Sequence, residues 1–175
     1  PVCSSAASDV YKRQAIMGVI SGIFAATGQT CIAGSRLLVQ DSIYEKFVER
    51  LVKVASEAKI GDPMSLDTHV GPVTTKPQFE KIMSYIDIAK SEGAKCLLGG
   101  KAYSGNDVKG NRFVEPTIFT DVNNDMRIAQ EEVFGPVLSI IRFKDEEEAV
   151  EIANDEIFGL AAGVWTNDIG RALRM

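Results

Sequence analysis

VLSIIRF, Val137–Phe143, is an apolar run interrupted only at Ser139 and Arg142. A strand with one wet face alternates apolar and polar side chains, because successive residues point to opposite sides of the sheet. A run that is apolar at consecutive positions has both faces covered, the pattern of a strand inside a parallel sheet. Outward from it, RLLVQ (Arg36–Gln40), KCLLGG (Lys95–Gly100) and AAGVWT (Ala161–Thr166) read as further strands. The last of these is also expected to be buried, and Cys96 to point into the core.

Helical periodicity fills the intervals. Residues 15–27 form a helix of small residues closed by Gly28. In IYEKFVERLVKVASEAK, Tyr44, Phe47, Leu51, Val54 and Ala58 recur at helical spacing, with Asp41 or Ser42 as the cap and Gly61 and Pro63 as the stop. Phe79, Ile82, Ile86 and Ala89 mark a second amphipathic helix ending at Gly93, and KAYSGNDVKGNR, Lys101–Arg112, is a surface excursion. Asp145 and Glu148 open EEEAVEIAND in the manner of a capping box, and Asn167 or Asp168 begins a helix that runs to Met175. Alternating strands and helices predict an α/β domain, a layered sheet with helices on both faces.

The 175 residues suffice for one domain with a real core, and 45% hydrophobic with 25% charged residues is ordinary globular composition. A net charge of -5, with no basic stripe, argues against nucleic acid as a partner. Three widely spaced cysteines make no disulfide framework and suit a reducing, cytoplasmic setting. One histidine and no CxxC pair leave too few ligands for a zinc site, so no metal is expected.

Lys12 and Arg13 precede AIMGVISGIFAA, which imitates a signal peptide, and Gly18 with Gly22 makes a GxxxG. Ser21, Thr27, Gln29 and Thr30 interrupt the run short of the ~20 apolar residues that a membrane span needs. A helix packed in a water-soluble core fits better. The flank itself, SSAASDVYKRQ (Ser4–Gln14), resembles the translation of a transposase sequencing adapter, codon for codon over eleven residues. Residues 1–14 are therefore set apart as non-native, Cys3 with them, and residues 15–175 are taken as the native part, cut at both ends.

Two stretches could carry chemistry. In GQTCIAGSR, Gly28–Arg36, the single Cys31 sits among small and hydrogen-bonding residues. A free cysteine is often a small core hydrophobe. Small neighbours, however, leave room for a ligand beside the sulfur, and glycines let backbone N–H groups approach an oxyanion. No histidine lies near in sequence, and His69, in a polar loop, reads as solvated. In EEVFGP, Glu131–Pro136, two acids and an aromatic precede a Gly-Pro turn. That is either a solvated helix end with Phe134 as a plug, or a carboxylate for a ligand's hydroxyls beside an aromatic face.

FAATGQTCIAGS, Phe24–Ser35, resembles the cysteine active-site signature of the aldehyde dehydrogenase superfamily, and EEVFGPV resembles its second motif. GDP, VGP, EGAK with LGG, EPTIF and FGLAAGVWT follow in the family's order, so the likeness covers residues 15–175. The resemblance implies part of a catalytic domain. Cys31 would be the nucleophile that forms a thiohemiacetal with an aldehyde, then a thioacyl enzyme that water hydrolyses to a carboxylic acid. Its main-chain N–H would contribute to the oxyanion hole. The cofactor would be NAD or NADP, bound mainly by a missing domain, with Glu132 on the nicotinamide-side ribose and Phe134 against the nicotinamide ring. Neither Glu131 nor His69 matches a catalytic position, and Thr30 and Ile32 would shape the tunnel floor.

The resemblance further implies a homo-oligomeric parent, dimer or tetramer, with a small-molecule aldehyde as substrate and no membrane association. The family's oxyanion-hole asparagine and ELGG-type glutamate have no match here, so the segment alone is expected to lack dehydrogenase activity. A coenzyme-A-acylating semialdehyde dehydrogenase is the enzymatic alternative, disfavoured by the AGSR continuation at Ala33–Arg36. A catalytically inert structural or interaction domain is the other, and it requires a buried Cys31 that alkylates slowly.

Overall fold

The computed structural model describes residues 2–4, 9–105, 110 and 112–175. Along the chain run strand β1 (Val2–Ser4), helix α1 (Asp9–Phe24), strand β2 (Arg36–Gln40), and helices α2 (Tyr44–Ser56) and α3 (Lys76–Ser91). Strands β3 (Lys95–Leu98) and β4 (Thr117–Thr120), the short helix α4 (Arg127–Gln130) and strand β5 (Val137–Phe143) follow. Helix α5 (Glu146–Asn154), strand β6 (Gly163–Trp165) and helix α6 (Ile169–Arg174) complete it. The sheet order is β3-β4-β5-β2-β1-β6. All pairs are parallel except β3 with β4, which is antiparallel, so the sheet is mixed.

VLSIIRF is β5 itself, in parallel register with β2 on one side (Leu38↔Ile141) and β4 on the other (Phe119↔Ser139). Both of its faces are covered, as the apolar run predicts. Leu138 and Ile140 join Leu37, Val39 and Ile118 under α1 and α2. Val137, Ile141 and Phe143 join Leu38 and Phe119 under α3, α4 and α5. Strand alternation thus divides one run of apolar residues between two cores. Each fully buried Leu, Ile or Phe contributes about 1.5–3 kcal/mol relative to exposure.

Helix α1 packs Ala15, Ile16, Val19 and Ile23 inward, and the Gly18 side of the GxxxG receives the Trp165 ring. A Cβ at Gly18 would lie 2.3 Å from the indole. Among the described residues no helix is long and apolar enough to cross a membrane.

Four expectations need correction. Helix α1 starts at Asp9 rather than at residue 15, and Val2–Ser4 pairs between β2 and β6, so residues 2–4 and 9–14 belong to the fold. Strand pairing is made by main-chain groups, which any residues but proline supply. Residues 5–8 of the supposed adapter, and 106–109 and 111 of the Lys101–Arg112 excursion, lie outside the described residues.

The remaining three concern local structure. No side chain caps α2; Asp41–Ile43 forms a 3-10 turn instead, so Tyr44 enters the helix already wound. The AAGVWT strand is not buried: β6 is the sheet edge, its residues half-exposed and Val164 exposed. Finally, the first helix does not reach residue 27, because Ala26 and Thr27 turn left-handed (φ 50° and 58°) ahead of Gly28. By contrast, Asp145 caps α5 by accepting from the Glu148 N–H at 3.0 Å, while Glu148 accepts from the Lys144 N–H at 2.6 Å.

Candidate active site

Three consecutive left-handed residues, Ala26, Thr27 and Gly28, redirect the chain at the end of α1. A non-glycine residue in that region costs of order 1–3 kcal/mol, which the surroundings must offset. Here the buried Thr27 hydroxyl donates to the Gly71 carbonyl at 3.2 Å. Beyond the bend, the Ala33 N–H donates to the Thr30 carbonyl at 2.9 Å, closing a tight turn with Cys31 and Ile32 at its centre. The Gly34 N–H donates to the Gly22 carbonyl at 3.1 Å, and the Ser35 carbonyl accepts from the Ser139 N–H at 2.9 Å. The turn is thereby tied to α1 and β5. Cys31 is exposed and free, and its main-chain N–H donates to no described group.

The second motif follows α4. Both carboxylate oxygens of Glu131 are engaged, by Arg127 Nε at 2.8 Å and Nη2 at 2.9 Å, with the Tyr85 hydroxyl also donating. The guanidinium, and after it the phenol, holds the Glu131 carboxyl down at about 2. Glu132 is exposed and has no hydrogen bond or ion pair among the described residues. Phe134 is half-buried with φ 55°, and the Gln78 amide clamps its loop by donating to the Val133 and Phe134 carbonyls at 2.9 and 3.0 Å.

Glycines let the two motifs touch. A Cβ on Gly28 would stand 2.1 Å from the Gly135 carbonyl oxygen, and one on Gly135 would stand 2.5 Å from Ile82 Cδ1. At Gly28 the obstacle is backbone and no side chain fits, so the Cys31 bend rests directly on the EEVFGP backbone. Between them lies a cleft of about 180 Å³. Cys31, Thr30, Ile32, Glu132 and Phe134, all named from sequence, line it together. An exposed thiol, an unpaired acceptor-only carboxylate and an aromatic face in one cleft fit a flat, hydroxyl-bearing ligand beside a reactive carbon.

His69 is not among the lining residues. Its Nδ1 accepts from the Lys59 N–H at 3.0 Å, so it ties a surface loop. Cys96 is half-buried, its thiol donating to the Leu98 carbonyl at 3.2 Å, and burial pushes that thiol up. No group of acidic, histidine or cysteine side chains that could hold a metal exists among the described residues.

Sequence reasoning did not assign Arg36, Gln78, Glu156 or Phe158. A cation opening an apolar strand was the available signal for Arg36. Nothing local marks the other three, whose partners are distant in the chain.

The aldehyde dehydrogenase family model matches residues 4–175. The chain is 48% identical over 167 residues to betaine aldehyde dehydrogenase of Mesorhizobium japonicum, covering 95% of this chain and 34% of that protein. It is 46% identical over 172 residues to acetaldehyde dehydrogenase 2 of Cupriavidus necator, covering 97% of this chain and 33% of that one. The crystal structure of HpcC from Thermus thermophilus superposes with a TM-score of 0.94 at 41% identity, over 99% of this chain and 34% of that one. Betaine aldehyde dehydrogenase from Staphylococcus aureus, solved in complex with NAD+, gives 0.93 at 43%, over 99% and 34%. The chain thus spans about a third of the length of the relatives it matches. With the cysteine turn and the acidic loop meeting in one cleft, and with this match along nearly its whole length, the chain belongs to the aldehyde dehydrogenase family.

Proposed function

We propose that the protein carrying this segment oxidises an aldehyde to a carboxylic acid, with Cys31 as the nucleophile. The observation that supports this is an exposed Cys31, in a turn whose main-chain N–H is unengaged, sharing a cleft with Glu132 and Phe134. The thiolate adds to the carbonyl carbon, a C–S bond forms, and the carbonyl pair moves to oxygen. The Cys31 N–H is a donor for that oxyanion. The chemistry a bound NAD+ or NADP+ would supply is that of hydride acceptor, so that loss of the carbon's hydrogen with its electron pair would leave a thioester to Cys31. Water then adds, the C–S bond breaks, and the acid leaves as the thiolate is restored, water's second proton passing to solvent.

Glu132 would hold the cofactor's nicotinamide-side ribose, its free oxygens accepting from hydroxyls, and Phe134 would lie against the ring. Glu131 has no such part, because Arg127 and Tyr85 occupy it. Residues 1–14 are read as adapter-derived on their codon match, and residues 15–175 as the family's partial catalytic domain. On its own this segment is expected not to turn over.

The test is a chimera in which residues 15–175 replace the matching segment of the Cupriavidus enzyme. NADH formation with acetaldehyde, together with free acid as product, should appear in the chimera and vanish in its Cys31→Ala form. A folded Cys31→Ala chimera that still turns over would sink the proposal.

A further inference from the structure

Arg36 is a buried cation, its side chain 4% exposed, at the point where the Cys31 loop enters β2. Its Nη1 donates to Asn124 Oδ1 at 2.7 Å and to the Ile152 carbonyl at 3.1 Å. Its Nη2 donates to the Ala153 carbonyl at 3.2 Å and pairs with Glu156 Oε1 at 2.8 Å. The two carbonyls belong to the last turn of α5, where no intrahelical donor reaches them. One guanidinium therefore closes a helix end and, through Glu156, seizes the chain that leaves it.

That chain lines the cleft. Glu156, Phe158, Leu160 and Ala161 face the same space as Cys31. From residue 157 to residue 162 no hydrogen bond is made to any described residue. Among the described residues, the stretch is held at its ends alone. Pairing of β6 with β1 holds one end, and the Arg36–Glu156 link, with Asn124 and Gln130 on Asp155, holds the other. Ile157, Phe158 and Leu160 are exposed, so apolar packing restrains it little.

We infer that Arg36, acting through Glu156, is a positioning residue that sets the distance of the 157–161 stretch from Cys31, and with it the size of electrophile that reaches the sulfur. This rests on the reading of Cys31 as the nucleophile. The Asn124 and α5 contacts of Arg36 are structural. The Glu156 contact is separable from them, because Glu156→Ala leaves the other partners of the guanidinium in place, whereas Glu156→Gln keeps a hydrogen-bonding oxygen there.

The experiment compares the 175-residue chain with its Glu156→Ala and Glu156→Gln variants. Labelling rates at Cys31 are measured with small iodoacetamide and bulky N-phenylmaleimide, Cys96 serves as the internal reference, and limited chymotryptic cleavage after the exposed Phe158 and Leu160 is followed by mass spectrometry. Glu156→Ala should raise the bulky-to-small rate ratio at Cys31 by about fivefold, the rate equivalent of roughly 1 kcal/mol. Chymotryptic cleavage after Phe158 and Leu160 should quicken, with Cys96 labelling and cleavage within α1 and β2 unchanged, and Glu156→Gln should resemble the parent. An unchanged ratio, or an equal change at Cys96, overturns the inference. Should Cys31 label no faster than Cys96 in the parent chain, the nucleophile reading fails instead. Cleavage alone then judges the strap: quickening after Phe158 and Leu160 in Glu156→Ala supports it, and an unchanged rate overturns it.

Discussion

Gly28→Ala is the substitution that most directly tests how the two motifs are held together. Gly28 has φ +65°, and its missing Cβ would fall 2.1 Å from the Gly135 carbonyl oxygen and 2.9 Å from the Ile23 carbonyl. Two costs follow. A left-handed alanine costs about 1–2 kcal/mol. The second cost is steric, for at 2.1 Å a backbone must move, and forced repacking of this kind costs about 1–3 kcal/mol. The sum is about 2–5 kcal/mol.

Two other glycines separate these terms. Gly93 has φ +98° with nothing within 4 Å of its Cβ position, so Gly93→Ala carries the conformational cost alone. Gly22 lies inside α1 with nothing within 4 Å, so Gly22→Ala should stabilise, by about 0.5–1 kcal/mol. Urea unfolding followed by far-ultraviolet circular dichroism, with the m-value held common, gives all three differences. If Gly28→Ala falls within about 0.5 kcal/mol of Gly93→Ala, the direct seating of one motif on the other is refuted.

Three further outcomes are expected. Peptide mass spectrometry after brief iodoacetamide treatment at pH 8 should find Cys31 modified at least about tenfold faster than Cys96, whose thiol is half-buried and pushed up by that burial; equal rates would contradict the accessible-thiol assignment. Glu131, held at about 2 by Arg127 and Tyr85, adds stability that is complete above its unfolded value of about 4.3 and fades as pH falls toward 2. Glu146 is held at about 2 as well, by Arg174 and Arg171, so the acid limb of the parent minus that of Glu131→Gln isolates Glu131, and identical limbs would refute its coupling. Thr75→Ala removes the oxygen that accepts from the Gln78 N–H at 3.3 Å at the start of α3, and should lower stability by about 1 kcal/mol in urea unfolding.

The central strands and most helices were legible in the chain because burial on a regular element is periodic. VLSIIRF announced two-sided burial, RLLVQ announced a strand, and Asp145 announced its own helix. The edge position of β6 was not legible: AAGVWT is as apolar as a buried strand, and only sheet order leaves it half-exposed. Cys31, Glu132 and Phe134 could be named from their motifs, yet neither motif carries any local sign of the other.

Composition and spacing along the chain therefore marked the central strands, the main amphipathic helices and the candidate site residues, since each depends on neighbours a few positions away. Tertiary structure alone decided that Gly28 lies on Gly135, that Arg127 and Tyr85 occupy Glu131 while Glu132 has no partner among the described residues, and that Arg36 reaches Glu156. Those contacts join residues far apart in sequence. They are decided by strand register and helix packing, which no short window of the chain encodes.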